Sequence, residues 1–220
     1  MPMSPIFKQT IHQDGLHADI QDGPTNPFTQ AQEIPFCWEV KSSALGYLGV
    51  LQIGSRLVAC VFGHATEPAA VRALQQRWRQ FSKSKARRGG NQNIPLGAWD
   101  VEAGDRITCS PLLQRLVRYA AGQPDDLLNV PLLLADRTPF QCRVLAACRA
   151  IPRGETRTYG EVAAVAGSPR AARAVGRVMA TNRVPLVVPC HRVVAAGGGM
   201  GGFSAPQGVT MKGRLLTLEK

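Results

Sequence analysis

The chain has 220 residues, 45% of them apolar, 19% charged and only 6% aromatic, with a formal net charge of +11. That length allows one large domain or two small ones, and no stretch approaches the roughly 20 apolar residues of a membrane-spanning helix. The start, MPMSPIFKQTIHQDGLH, lacks a basic segment followed by an apolar run, so no signal peptide is expected.

Six cysteines, Cys37, Cys60, Cys109, Cys142, Cys148 and Cys190, include no C-x-x-C pair. The spacing fits neither a disulfide framework nor a zinc site. Reduced thiols in a cytoplasmic protein, or a nuclear one in a eukaryote, are the expectation. Charge is spread unevenly. Residues 137–220 hold 13 Lys+Arg and 3 Asp+Glu, a net +10, whereas residues 1–136 hold 13 and 12, a net +1. A basic segment beside a neutral one points to a polyanionic partner for the C-terminal part, against the plainer reading of a solvated basic surface.

In chain order, residues 1–35 are polar with scattered Pro and Gly and predict a flexible tail. Residues 44–63 predict two strands around the turn Gly54-Ser55, residues 69–81 a helix, and residues 82–93 a basic, Gly/Asn-rich loop. A second helix is expected over 110–122, with Ser110 as N-cap, Pro111 at its first position and Gly122 as its stop. Residues 36–136 thus form a small N-terminal α+β domain. Nothing in it announces chemistry, and Cys60 with His64 makes two ligands at most, so both are taken as structural.

Residues 137–220 form a mainly helical domain, which makes the whole an α+β protein. TPFQCRVLAACRAI (138–151) predicts a helix capped by Thr138 and opened by Pro139. Phe140, Val144, Ala147 and Ile151 share one face, with Cys148 beside it in the core. In TYGEVAAVAG, Thr158 and Glu161 form a capping box and Gly167 ends the helix. Ser168-Pro169 starts another helix running to Ala180, completing a helix-turn-helix. At about 100° per residue, Ala171, Val175, Val178 and Met179 face inward and Arg170, Arg173 and Arg177 face outward. Ala172, Ala174, Gly176 and Ala180 flank the basic stripe. Small flanks let a helix backbone approach a surface while the arginines reach phosphates or bases.

LVVPCHRVV (186–194) is apolar on both sides and predicts a buried, extended chain. A lone cysteine there could be inert core. Adjacent side chains on a strand point to opposite faces, so His191 would meet the Cys190 thiol only through a turn or a bridging water. Two details oppose inert core. His191 and Arg192 are costly to bury unless partnered, and Pro185 and Pro189 break a regular strand. Downstream, Gly197, Gly199 and Gly202 spell G-x-G-x-x-G, but no helix is expected after them, so a dinucleotide site is rejected.

The second half resembles the O6-alkylguanine-DNA alkyltransferases, which move an alkyl group from damaged guanine onto their own cysteine. The resemblance covers about residues 137–220 and rests on P-C-H-R-V at 189–193, N-R-V-P-L-V-V-P-C at 182–190, P-R-A-A-R-A-V-G at 169–176 and G-E-T-R-T-Y-G-E-V-A at 154–163. It implies Cys190 as acceptor, His191 as its base and Glu219, seven after Lys212, as the carboxylate that orients the histidine. It further implies Asn182 at the hinge, Tyr159 as donor to the departing base, Pro185, Val193 and Ser204 in the substrate pocket, and Arg173 filling the gap left by a flipped base. Ala171, Ala172, Ala174 and Gly176 would then lie in the groove.

The implied reaction is a single turnover onto Cys190, with O6-alkylguanine and, as a further candidate, O4-alkylthymine as substrate. The implied partner is double-stranded DNA met by a monomer, with no cofactor, metal or membrane. The family has G-Y-S-G-G-L in the loop that closes the pocket; this chain has GFSAPQGV at 202–209, with Phe203 for the tyrosine. That departure bears on substrate range and rate. Two other functions fit parts of the pattern. A non-catalytic lesion sensor would lack the cysteine this chain keeps. A Cys-His hydrolase would leave the arginine helix unexplained.

Overall fold

The computed structural model describes residues 36–86 and 111–220. The tail expected over 1–35, most of the basic loop, Ser110 and Cys109 lie outside them. Three antiparallel strands come first: β1 (Phe36–Ser43), β2 (Gly46–Ile53) and β3 (Arg56–His64), in the order β1-β2-β3. The two strands expected around Gly54 are β2 and β3, and Gly54 takes the positive φ of +57° that the turn needs. Strand β1 is additional. It pairs with β2 from Phe36 opposite Ile53 to Ser43 opposite Gly46. At that turn Ser43 Oγ donates to Gly46 O at 2.6 Å. A Cβ on Gly46 would meet His64 O at 2.8 Å, so only glycine fits there.

Helix α1 (Glu67–Ala86) packs on one face of this sheet. It runs five residues beyond the expected end at Phe81, because the Ser-Lys-rich segment continues the helix instead of opening the loop. Ala70, Leu74, Trp78 and Phe81 recur at helical spacing and bury against Leu51, Val58 and Val61. The other face of the sheet carries Leu48, Val50, Leu57, Cys60 and Phe62, which enter the main core with the helices of the second half. Burial on both faces is why β2 and β3 read as continuous apolar runs.

Helix α2 (Pro111–Ala120) buries Leu112, Leu113, Leu116 and Tyr119, and Gly122 beyond it has φ +93° as its expected stop. The free edge of β3 is covered by the segment after α2 and by the chain near Arg183. Leu57 N–H donates to Pro131 O, Leu133 N–H to Leu57 O, and Cys60 N–H to Arg183 O. An open edge is thereby satisfied.

Helix α3 (Pro139–Arg149) starts as expected, and Gln141 closes a full capping box with Thr138. Cys148 is buried beside the Val144 face. Strand β4 (Arg157–Thr158) leads into α4 (Tyr159–Val165), whose Thr158–Glu161 capping box is present and whose stop, Gly167, has φ +72°.

Helix α5 spans Ala172–Ala180, starting later than the Ser168-Pro169 predicted. Residues 168–171 form a turn, and Ala171 provides no side-chain cap. The wheel holds: Val175, Val178 and Met179 are buried, while Arg170, Arg173 and Arg177 are exposed.

A 3-10 turn (Cys190–Arg192) is followed by β5 (Val193–Val194), which pairs in parallel with β4. Helix α6 (Gly208–Leu218) completes the described residues. A helix therefore does follow G-x-G-x-x-G. It starts six residues after Gly202, however, and a short 3-10 turn (Ala196–Gly198) falls within the motif, so the strand-turn-helix of a dinucleotide site is not formed. Among the described residues no helix is long and apolar enough to cross a membrane.

Candidate active site

The segment before Cys190 is an irregular loop stapled by one side chain. Asn182 Oδ1 accepts the Val184 N–H at 3.1 Å and its Nδ2 donates to Val188 O at 2.8 Å. Between these contacts the buried Leu186 has φ +69°, a conformation a branched residue holds only when its surroundings fix it. The expected extended chain is overturned at this point. Cys190, His191 and Arg192 form a 3-10 turn, with Cys190 N–H donating to Val188 O at 2.8 Å. The alternation that would separate Cys190 from His191 on a strand does not operate there.

Behind the cysteine lies a buried network centred on Glu219. Helix α6 presents Met211, Lys212 and Leu215 on its buried face, and the Glu219 carboxylate follows at its C-terminus. Glu219 Oε1 meets His191 Nε2 at 2.6 Å. Arg192 donates from Nε to Oε2 at 2.9 Å and from Nη2 to Oε1 at 3.0 Å, a fork that suits a carboxylate. The Tyr119 hydroxyl of α2 donates to Oε1 as well. Arg192 Nη1 also donates to Ile151 O at 2.5 Å. His191 and Arg192 thus have the partner that burial demands. Lys212 Nζ donates to Val193 O at 2.6 Å and to Met200 O.

These contacts set the protonation states. Burial pushes the Cys190 thiol up, opposed by a hydrogen bond from Asn182 and by the positive charges of Lys212 and Arg77. Burial pushes His191 down, with Glu219 pulling the other way, so its resting form is neutral. Burial alone would raise Glu219, but hydrogen bonds from His191 and Arg192 hold it well below the usual carboxylate range. Glu219 is therefore an anion bonded to His191 Nε2. His191 Nδ1 is buried with no hydrogen-bond partner among the described residues. That nitrogen is the lone-pair position from which a neutral imidazole accepts a proton.

Two cavities of about 400 Å³ each share Cys190, Phe203 and Ser204 in their walls. One is lined by Tyr159, Gly176, Met179 and Ala180 and so opens beside α5. The Tyr159 ring is seated between two glycines. A Cβ on Gly176 would reach it at 3.9 Å and one on Gly201 would come within 3.0 Å of its hydroxyl. Burial raises the Tyr159 hydroxyl, which keeps it a donor. The other cavity lies toward the first half and is lined by Cys60, His64, Gln76, Arg77, Asn182 and Pro185, among others.

Cys190, Tyr159, Ser204 and Gly176 of the expected site therefore meet at one cavity, and His191 and Glu219 meet behind the cysteine. Asn182 and Pro185 face the second cavity. Val193 is fully buried and lines neither; its carbonyl is held by Lys212. Arg173 is exposed on α5, with Ala172 and Ala174 beside it and Ala171 just before the helix, all three partly buried. Sequence reasoning missed Tyr119 and Arg77, and it left Lys212 and Arg192 without roles. Arg77 had a signal: Ala73, Gln76, Arg77 and Gln80 line the second cavity at helical spacing, a polar stripe beside the apolar one. Among the described residues no three His, Cys, Asp or Glu side chains gather as a metal-ligand set.

Residues 139–220 match the family model "6-O-methylguanine DNA methyltransferase, DNA binding domain". The methylated-DNA--protein-cysteine methyltransferase of Mycobacterium tuberculosis is 49% identical over 111 residues, which cover 50% of this chain and 65% of that relative. A probable methylated-DNA--protein-cysteine methyltransferase of Acanthamoeba polyphaga mimivirus is 42% identical over 49% of this chain and 70% of its own length. The chain thus spans about two thirds of the length of these relatives. The crystal structure of Mycobacterium tuberculosis OGT in complex with DNA superposes with a TM-score of 0.60 at 31% identity, covering 83% of this chain and 92% of that one. The O6-methylguanine-DNA methyltransferase of Pyrococcus kodakaraensis superposes at 0.58 with 26% identity. This chain belongs to the methylated-DNA--protein-cysteine methyltransferase family.

Proposed function

We propose that the protein repairs DNA by taking an alkyl group from O6 of guanine onto Cys190. The observation that carries this reading is the pairing of a buried thiol, open to a cavity beside the α5 helix, with a neutral histidine backed by an ionised glutamate. His191 takes the thiol proton at Nδ1 through a bridging water, and Glu219 stabilises the imidazolium that forms. The Cys190 thiolate attacks the alkyl carbon in line. The S–C bond forms as the C–O6 bond breaks, and Tyr159 donates to the departing base. Each thiol reacts once, because the thioether product is stable.

The lesion lies inside a duplex, so the base must be turned out into the cavity. Arg173 fills the gap, and Ala171, Ala172, Ala174 and Gly176 allow the helix to sit close in the minor groove. Arg170 and Arg177 add attraction for phosphates. The chain works as a monomer on double-stranded DNA, in the cytoplasm or nucleus, where the reduced state of Cys190 is maintained.

The test is intact mass after incubation with a duplex carrying O6-methylguanine. Wild type gains one methyl group, about 14 Da, and Cys190→Ala gains nothing. Tight binding of the duplex with no mass gain on wild type rejects transfer in favour of a sensor.

A further inference from the structure

The step from α5 to the Cys190 loop runs through Thr181, Asn182 and Arg183. Asn182 bonds forward into the loop, to Val184 N–H and Val188 O. Its two neighbours are tied to a different group, the carboxylate of Asp136, buried in the turn before α3. Arg183 Nη2 donates to Asp136 Oδ1 at 2.5 Å, with both side chains at most 5% exposed. On the other oxygen, Arg137 Nε lies 3.6 Å from Oδ2. The same Arg137 guanidinium donates to Thr181 O at 2.7 Å and to Thr181 Oγ1 at 3.3 Å. Thr181 is the C-cap of α5. One carboxylate therefore reaches the end of the exposed helix through one arginine and the start of the Cys190 loop through another.

The first half grips Arg183 as well. Its Nη1 donates to Val58 O of β3 at 3.2 Å, its guanidinium lies 4.8 Å from the centre of the Phe81 ring on α1, and its carbonyl accepts the Cys60 N–H at 2.8 Å. Burial pushes the guanidinium down to about 10 and Asp136 pushes it back up, so it is a cation at neutral pH. Packed apolar side chains of similar volume hold a fold together as well as a buried ion pair does. What this pair adds is direction, at the two residues that flank the loop's staple. Direction matters to in-line displacement, where misplacement by about 1 Å costs up to about 100-fold in rate.

We propose that Asp136 is a positioning residue for alkyl transfer: through Arg137 and Arg183 it fixes both neighbours of Asn182 and so sets where Cys190 stands relative to α5. The inference rests on the alkyl-transfer reading and adds a residue that touches neither DNA nor the reacting atoms.

The test compares wild type, Asp136→Asn and the double variant Asp136→Asn/Arg183→Met. Three quantities are read for each: Tm, affinity for an undamaged duplex, and the rate of methyl transfer to Cys190 at saturating O6-methylguanine duplex, well below every Tm. Asp136→Asn leaves Arg183 buried without its charge partner, so Tm falls. The saturated rate falls about ten-fold, while undamaged-duplex affinity stays within about two-fold because the α5 arginines are intact. In the double variant the stranded charge is gone, so Tm recovers, but the rate stays low. A pair that only holds the fold together gives the opposite result: the rate recovers with Tm. That recovery, a wild-type rate in Asp136→Asn, or loss of rate and affinity in parallel overturns the inference and leaves alkyl transfer standing. If Asp136→Asn does not fold, the double variant decides alone, a low rate supporting the inference and a wild-type rate overturning it. Failure of wild type to take up the methyl group overturns the transfer reading and the inference with it.

Discussion

The two halves of the molecule contribute to one site in different ways. The second half carries net charge +10 and its chemistry is local: Cys190, His191 and Arg192 are consecutive, and Lys212 and Glu219 sit two turns apart at one end of the chain. The first half is nearly neutral and its sequence reads as packing. Yet its helices send Tyr119 to the carboxylate and Arg77 to the second cavity, and Phe62 of β3 packs 6.3 Å from Phe203 in the loop that closes the pocket. Local motifs provide the reacting groups, and distant, unremarkable elements fix their protonation and surroundings. If that division is right, damage to the second half removes chemistry, whereas damage to the first half only detunes it.

The largest effect should come from Glu219→Gln. It leaves Arg192 buried without its charge partner and weakens the hold on His191. Breaking such a pair costs roughly 3–5 kcal/mol, and loss of proton transfer slows the reaction by about 100-fold or more. The pH dependence has a definite sign. The folded state holds Glu219 below its ordinary 4.5, so the stability it contributes is complete above that value and lost as pH falls below it. Thermal melts from pH 7 to pH 3 should show a steeper acid decline in wild type than in the variant. Parallel curves would mean that the carboxylate is not an anion in the fold.

An intermediate effect is expected from the exposed stripe on α5. Arg173→Ala removes a cation that packs against nothing essential, so Tm should hold. Duplex affinity should fall about ten-fold, and the salt dependence of binding should lose about one ion equivalent. Wild-type affinity and salt slope in the variant would show that the basic stripe is only a solvated face, and would move DNA contact elsewhere in the second half.

What was legible in the sequence follows the range of the forces involved. The caps at Thr138 and Thr158 and the stops at Gly122 and Gly167 are contacts within a few residues, and they were read directly. The Cys190–His191–Glu219 arrangement was legible only through the family resemblance. The 3-10 turn was not, because Pro189 and the Asn182 staple set it jointly across eight residues. Helix α5 was started too early because Ser168-Pro169 mimics a cap that the chain uses as a turn. Strand β1 was missed because Glu39 and Lys41 interrupt its apolar residues, and pairing with β2 is what orders it. Tyr119 meets Glu219 across 100 residues of sequence, a separation at which no local pattern predicts contact.

That contact also gives the finest test of the division between halves. Tyr119→Phe deletes only the hydroxyl that donates to Glu219 Oε1. The ring remains to fill the core, and the Arg153 guanidinium can still lie over it, 5.4 Å from its centre. Glu219 retains His191 and both bonds from Arg192, so it stays ionised and the relay stays intact. The expected loss is about 1 kcal/mol of stability, a Tm lower by roughly 2–4 °C. Methyl transfer should change by a few-fold at most, since losing the donor leaves the carboxylate that faces His191 less stabilised but still charged. A rate loss as large as that of Glu219→Gln would place Tyr119 in the proton path and give the first half a direct part in the chemistry. Because burial and the neighbouring carboxylate raise the Tyr119 hydroxyl far above neutrality, it keeps its proton at working pH, and a donor that steadies an anion without ionising is the role its position allows.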